Sequence, residues 1–194
     1  MLDGFLRRRC EPLVTRLARP FGQMPPNGMT AVGLGFAVLA ALAIAHGAYF
    51  WGLLAFLANR LADVLDGALA RAQNRVSVFG GYVDIVMDMI AYGAIVWAFA
   101  WADPAHAVAA AWLLLSYMGT CASYLAWPVT AVGERPPRSL AESVETTIYV
   151  VLVCCLPGSF AMVSYGFSVL CWLTVIHRLI AARRMNTERT DHGG

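Results

Sequence analysis

Lysine is absent from the 194-residue sequence, and all fourteen basic residues are arginine. Charge of either sign is scarce. Only 13% of residues are Asp, Glu, Lys or Arg, against ~25% in soluble domains. With 59% hydrophobic residues and a mean hydropathy of +0.62, the chain has too little polar surface to cover a soluble core of its size. Cysteine is sparse and odd in number, five in all, which excludes a secreted disulfide framework. Cys10, Cys121, Cys154, Cys155 and Cys171 form no CxxC pair and have no histidine spacing suited to zinc, so they read as small buried hydrophobes. Abundant apolar residues and a net charge of only +2 exclude intrinsic disorder. There is no internal repeat and no low-complexity tract, and no feature points to a nucleic-acid partner. What remains is an all-α, polytopic membrane protein of one domain.

A membrane-spanning helix needs ~20 apolar residues, and six stretches fit: Asn27–Ala45, Phe50–Arg71, Ser77–Trp101, Ala105–Ala131, Leu140–Leu156 and Phe160–Ala182. Asp103-Pro104 separates the third from the fourth, and Pro157-Gly158 the fifth from the sixth. The membrane domain takes in residues 1–184, with the six-helix bundle at 27–182. Ahead of it, Leu2, Phe5, Leu6, Leu13, Leu17 and Phe21 leave a broken apolar stripe among arginines. This predicts an interfacial amphipathic helix over residues 1–24, associated with membrane lipids, rather than a cleaved signal. Residues 185–194 are expected to be a disordered polar tail. No charged soluble domain precedes the first span, so no second activity such as nucleotidyl transfer is expected.

Arginines set the orientation. Arg7, Arg8, Arg9, Arg16 and Arg19 precede span one; Arg71 and Arg75 lie between spans two and three; Arg135 and Arg138 between four and five; Arg178, Arg183, Arg184 and Arg189 at or after the end of six. The other three connections carry none. Every basic cluster falls on one side, which the positive-inside rule assigns to the cytoplasm, with both termini inside.

Four aspartates interrupt this apolar pattern. Asp63 and Asp66 lie i, i+3 on span two; Gly80, Asp84 and Asp88 lie i, i+4, i+8 on span three. These spacings put each set on one helix face. A mid-bilayer carboxylate costs ~2.5–3.5 kcal/mol on insertion scales, so four need compensation. The short connection around Ala72–Val76 makes the two spans antiparallel neighbours whose polar faces converge. At 1.5 Å per residue, Asp63 lies ~12 Å from Arg71 and Asp88 ~17 Å from Ser77, in the cytoplasmic half. Facing carboxylates cannot all stay ionised alone. Oxygen-only donors favour Mg²⁺ or Mn²⁺, and four suit two ions better than one. Gly67 and Gly80 leave room for a bulky ligand beside the backbone. Arg71 offers a fork for phosphate. The set points to phosphoryl transfer on an anionic substrate.

The segment Asp63-x2-Asp66-Gly67-x2-Ala70-Arg71-x8-Gly80-x3-Asp84-x3-Asp88 resembles the signature of the CDP-alcohol phosphatidyltransferase family at all eight fixed positions. At residue frequencies near ~6%, chance agreement is on the order of 10⁻¹⁰ per start position. Pro26-Asn27-Gly28-Met29-Thr30 resembles the family's entry into span one. The resemblance implies six spans, a juxtamembrane helix, cytoplasmic termini and a homodimer through the later spans. It also implies that an acceptor hydroxyl attacks CDP-diacylglycerol and CMP leaves. Carried over by position, Asp63, Asp66, Asp84 and Asp88 are metal ligands, and Asp88 is also the general base. Gly67, Ala70, Arg71, Ser77 and Gly80 match the CDP-holding segment, as do Asn27 and Thr30. The region after span four resembles a small bacterial inner-membrane branch of the family.

Several residues have two readings. Arg60 either pairs with a carboxylate or acts directly. Ser139-x-x-Glu142 reads as a capping box opening span five. Glu145 faces the acceptor or pairs with Arg138. Arg135, Arg138 and Arg178 form an acceptor pocket suited to glycerol 3-phosphate or inositol phosphate, or serve only as orientation charge. Glu142 and Glu145 pull the other way, toward serine or another amine or neutral alcohol. Polar helix–helix glue and a lipid-binding protein without activity are weaker alternatives. A cation or proton transporter is the competing function class, but its charges should line both halves of the membrane, whereas here they gather in one.

Overall fold

The computed structural model describes residues 20, 26–73, 77–130, 137, 140–141 and 143–192. Among them every regular element is helical. The first helix, α1 (Pro26–Ala45), opens on a proline, whose fixed φ suits a first helical turn. It stops at Gly47, which holds φ at 74°. The Ala48 amide donates to the Ala43 carbonyl at 2.8 Å and the Gly47 amide to Ile44 at 2.9 Å. This is a Schellman cap, for which glycine is the usual residue. The chain turns directly into α2 (Tyr49–Ala72). Gly52 lets these two helices touch: a Cβ there would lie 2.5 Å from Ile44 Cγ1 and 3.3 Å from the Ala40 carbonyl oxygen. Further along, Asn59 donates to the Gly33 carbonyl at 2.8 Å.

The third helix, α3 (Val78–Ala102), starts at Ser77, whose hydroxyl accepts the Gly80 amide at 2.9 Å. A 3₁₀ turn at Pro104–His106 leads into α4 (Ala107–Leu125), followed by the short α5 (Trp127–Thr130). Sequence reading expects one helix up to Ala131. Pro128 explains the break, since it has no N–H for the Tyr124 carbonyl, and Val129 turns back onto Ala126 at 3.1 Å. Next come α6 (Ser143–Cys155), a 3₁₀ turn at Pro157–Ser159, and α7 (Phe160–His192).

Among the described residues, four stretches are long and apolar enough to cross a membrane: Gly28–Ala45, Val78–Ala102, Pro104–Val129 and Pro157–Met185. The expected six are not all of this kind. The 24-residue α2 carries Arg60, Asp63, Asp66 and Arg71. The 13-residue α6 reaches only ~20 Å at 1.5 Å per residue, short of a ~30 Å hydrocarbon layer. The helix α7 also corrects the expectation of a disordered tail. It runs on to His192, because no proline interrupts it and Ala181-Ala182-Arg183-Arg184-Met185 are strong helix formers. The proposed interfacial helix over residues 1–24 lies outside the described residues, save Pro20.

Large apolar side chains cover the outside, among them Leu39, Trp51, Met162 and Leu179, each more than half exposed. Such a surface suits lipid rather than water. Inside, two apolar clusters divide the bundle. The larger gathers Ile44, Phe56, Phe99, Phe160 and Tyr149, with Phe99 stacked on Phe160 at 4.6 Å. The smaller holds Met29, Ala62, Leu65, Ala68 and Leu69, at the end where the aspartates lie.

Candidate active site

The helix α1 packs closely against both α2 and α3, while those two make no comparably close backbone approach. The aspartates therefore meet across a gap with α1 as its wall. The cleft is lined by Thr30 and Gly33 of α1, by Asn59, Arg60, Asp63 and Asp66 of α2, and by Asp84, Met87 and Asp88 of α3. Helical spacing does the aiming. Arg60, Asp63 and Asp66 recur every third residue, and Asp84, Asp88 and Tyr92 every fourth, so each set forms one stripe.

The four carboxylates have distinct partners. Asp63 of α2 and Asp84 of α3 line the same cleft. Carboxylates gathered in one cleft cannot all stay ionised without a counter-charge. Asp66 Oδ2 accepts the Thr30 hydroxyl at 2.5 Å, tying α2 to α1. Asp88 Oδ1 accepts from Arg60 Nη2 at 2.6 Å, and Asp63 Oδ2 lies 4.0 Å from Arg60 Nη1. The donor set of oxygens alone fits a hard divalent cation. Among the described residues, no three of His, Cys, Asp and Glu stand close enough together to enclose an ion as they are. Thr30 and Arg60 hold two of the four carboxylates, and a cation would have to draw on both.

The remaining signature positions lie toward the exposed ends of α2 and α3. Gly67 leaves the space that Arg71 uses: a Cβ at residue 67 would lie 3.4 Å from Arg71 Nη1. Ala70 is half-buried, while Arg71, Ser77, Gly80 and Asp84 are exposed. Ser77 and Gly80 work as a pair. The serine caps α3, and a Cβ at residue 80 would lie 3.0 Å from its hydroxyl oxygen. The side chain of Asn27 lies outside the described residues, as do Arg75, Arg135, Arg138, Ser139 and Glu142.

A model of the family described as CDP-alcohol phosphatidyltransferase matches residues 23–186. The chain belongs to this family. It is thereby a CDP-alcohol phosphotransferase and an integral membrane protein. Inner membrane protein YnjF of Escherichia coli (strain K12) is 35% identical over 92% of this chain and 94% of its own length. The phosphatidylinositol phosphate synthase of Mycobacteroides abscessus is 32% identical over 99% of this chain and 91% of its own length. In three dimensions, the Mycobacterium tuberculosis phosphatidylinositol phosphate synthase solved with CDP-DAG bound superposes with a TM-score of 0.74 at 21% identity, covering 88% of this chain and 94% of that one. The same enzyme has been solved with manganese and citrate, again at a TM-score of 0.74, with 22% identity over 87% of this chain and 88% of that one. At such identity the likeness shows the shared fold.

Two residues expected at an acceptor pocket lie elsewhere than in the aspartate cleft. Arg178 is buried, donating from Nη1 to the Thr120 carbonyl at 2.9 Å and to the Ser123 hydroxyl at 3.2 Å, with its guanidinium over Tyr124 at 5.4 Å. It thus sits at the C-terminal end of α4, where a cation meets the negative end of the helix dipole. Glu145 lies in the first turn of α6, the complementary end, and its Oε2 is buried without a hydrogen-bond partner among the described residues. Sequence reasoning overlooked Tyr92, which accepts from Arg60 Nη1 at 2.9 Å. Its place four residues after Asp88 was the available signal.

Proposed function

We propose that this family member transfers the phosphatidyl group of CDP-diacylglycerol to a phosphorylated polyol such as inositol phosphate or glycerol 3-phosphate, with release of CMP. The observation that carries the reading is the convergence of Asp63 and Asp66 of α2 with Asp84 and Asp88 of α3 on one cleft. The name of the Mycobacteroides abscessus relative supports inositol phosphate as acceptor.

Asp63, Asp66, Asp84 and Asp88 hold divalent cations, two Mg²⁺ or Mn²⁺ ions. When bound, such ions neutralise a pyrophosphate and ease departure of the nucleotide. The chain's own residues do the rest. Arg71 binds phosphate oxygen with its fork. Gly67, Ala70, Ser77, Gly80, Asn27 and Thr30 shape the space for the CDP moiety. Asp88 takes the proton of the acceptor hydroxyl, which must come within ~2.6–3.2 Å of its carboxylate. The acceptor oxygen then forms its bond to the phosphorus bearing diacylglycerol, and the bond from that phosphorus to CMP breaks. Arg135, Arg138, Arg178 and Glu145 are proposed to contact the acceptor. Six spans cross the membrane, with α2 and α6 completing the four apolar ones. The termini and the cleft face the cytoplasm, and the protein is a homodimer in a bacterial inner membrane.

The experiment is CMP release by purified protein given CDP-diacylglycerol, Mg²⁺ or Mn²⁺, and a panel of inositol phosphate, glycerol 3-phosphate, inositol, serine, choline and glycerol. Release with a phosphorylated acceptor, lost in Asp88→Asn while CDP-diacylglycerol still binds, supports the reading. Release with serine or a neutral alcohol alone replaces the acceptor assignment. Full activity of Asp88→Asn removes that residue from the mechanism.

A further inference from the structure

Arg60 is the most heavily engaged polar side chain around the cleft. Its side chain is 11% exposed. Nε donates to Asn59 Oδ1 at 3.0 Å, Nη1 to the Tyr92 hydroxyl at 2.9 Å, and Nη2 to Asn59 Oδ1 at 2.8 Å and Asp88 Oδ1 at 2.6 Å. Its guanidinium carbon lies 4.8 Å from the centroid of the Tyr92 ring. Each partner is itself anchored. Asn59 donates to the α1 backbone at Gly33, which turns its oxygen toward Arg60. Tyr92 packs its ring against Phe56 of α2, with centroids 6.0 Å apart. One guanidinium thus links α1, α2 and α3 around Asp88. Asp88 receives one charge-assisted bond, and the bonds from the same planar group to Asn59 and Tyr92 fix its direction.

We propose that Arg60 is the resident counter-ion of the aspartate cluster and the positioning residue for Asp88, so that guanidinium and divalent cation compete for one carboxylate. The inference rests on the reading that the four aspartates hold the cation. With Arg60 in place, the four carboxylates and one guanidinium leave a smaller net negative charge facing an incoming ion. Removing Arg60 leaves the carboxylates uncompensated. The cation then binds more tightly, while Asp88 loses the fork that aims it. A residue that merely supported the fold would, when removed, weaken cation binding and turnover together. The opposed signs therefore identify the role.

The test uses the full chain in detergent and Mn²⁺ alone as probe, with free Mn²⁺ counted by electron paramagnetic resonance. CMP-release kinetics are measured on the same preparations. Arg60→Gln is expected to bind Mn²⁺ about tenfold more tightly. Its kcat is expected to fall on the order of 100-fold, while KM for CDP-diacylglycerol changes less than about threefold. Arg60→Lys keeps the charge without the fork, so its Mn²⁺ affinity stays near wild type while kcat stays low. Tyr92→Phe removes one anchor of the guanidinium and is the milder probe if Arg60→Gln does not fold. It should shift both quantities in the same opposed directions, each about two- to threefold. Weaker or unchanged Mn²⁺ binding in folded Arg60→Gln, or in Tyr92→Phe if only that variant folds, overturns the proposal. Failure of the wild type to bind Mn²⁺ overturns the metal reading itself, and this inference with it.

Discussion

Thr30 offers the most direct test of how the cleft is built. Its hydroxyl donates to Asp66 Oδ2 at 2.5 Å, across 36 residues of sequence, in a partly buried place. Thr30→Val keeps the shape and removes only the donor. A hydrogen bond to a charged group is worth ~1.5–3 kcal/mol. If all of it serves to hold Asp66 where the reaction needs it, kcat/KM falls by roughly 10- to 150-fold, at tenfold per ~1.36 kcal/mol. Thr30→Ser keeps the hydroxyl and should retain most of the activity. In an Asp66→Asn background the valine substitution should cost little more, because the charged acceptor is already gone. CMP release measured at varied CDP-diacylglycerol reads the wild type and the four variants. Wild-type kcat/KM in Thr30→Val, or a Ser variant as impaired as the Val variant, would refute the pinning role. A rise in KM alone would assign Thr30 to nucleotide contact instead.

Other consequences follow from particular contacts. Gly52→Ala places a Cβ 2.5 Å from buried Ile44; despite alanine's better helix propensity it should destabilise the folded protein by ~1–3 kcal/mol, read by thermal unfolding in detergent, and Ile44→Ala should relieve part of the loss. Gly80→Ala crowds the Ser77 hydroxyl at 3.0 Å and should weaken a cap worth ~0.5–2 kcal/mol; in a Ser77→Ala background the same change should no longer destabilise, and additive effects would sink the pairing. Chelation by EDTA should abolish CMP release, with Mg²⁺ or Mn²⁺ restoring it; activity persisting in metal-free buffer would count against the cation role of the aspartates.

Much of this protein is legible from residue order alone. Charge scarcity and apolar runs determine an all-helical membrane chain, since an unpaired backbone polar group is costly in lipid and a helix satisfies its own. The segment from Asp63 to Asp88 resembles the family signature at every fixed position, and its spacings form two helix stripes. Helix ends were less legible. Pro128 was visible, yet its effect depends on whether the Tyr124 carbonyl can do without a donor. The end of α6 nearest Ser143 is set by residues adjoining it rather than by its apolar run.

What only the tertiary structure decided is which polar groups meet. Local spacing places Asp88 and Tyr92 on one stripe of α3 and Arg60 on a stripe of α2, but says nothing of the distance between helices. That distance is set by small residues at the contacts, Gly52 against Ile44 above all, and by α1 packing against both α2 and α3. The same holds for Arg178. Its position near the end of the last apolar stretch suggests a substrate ligand, whereas the fold presses it onto the final turns of α4. A side chain's neighbours along one helix follow from a 3.6-residue period, while its partners across helices follow from how closely those helices pack.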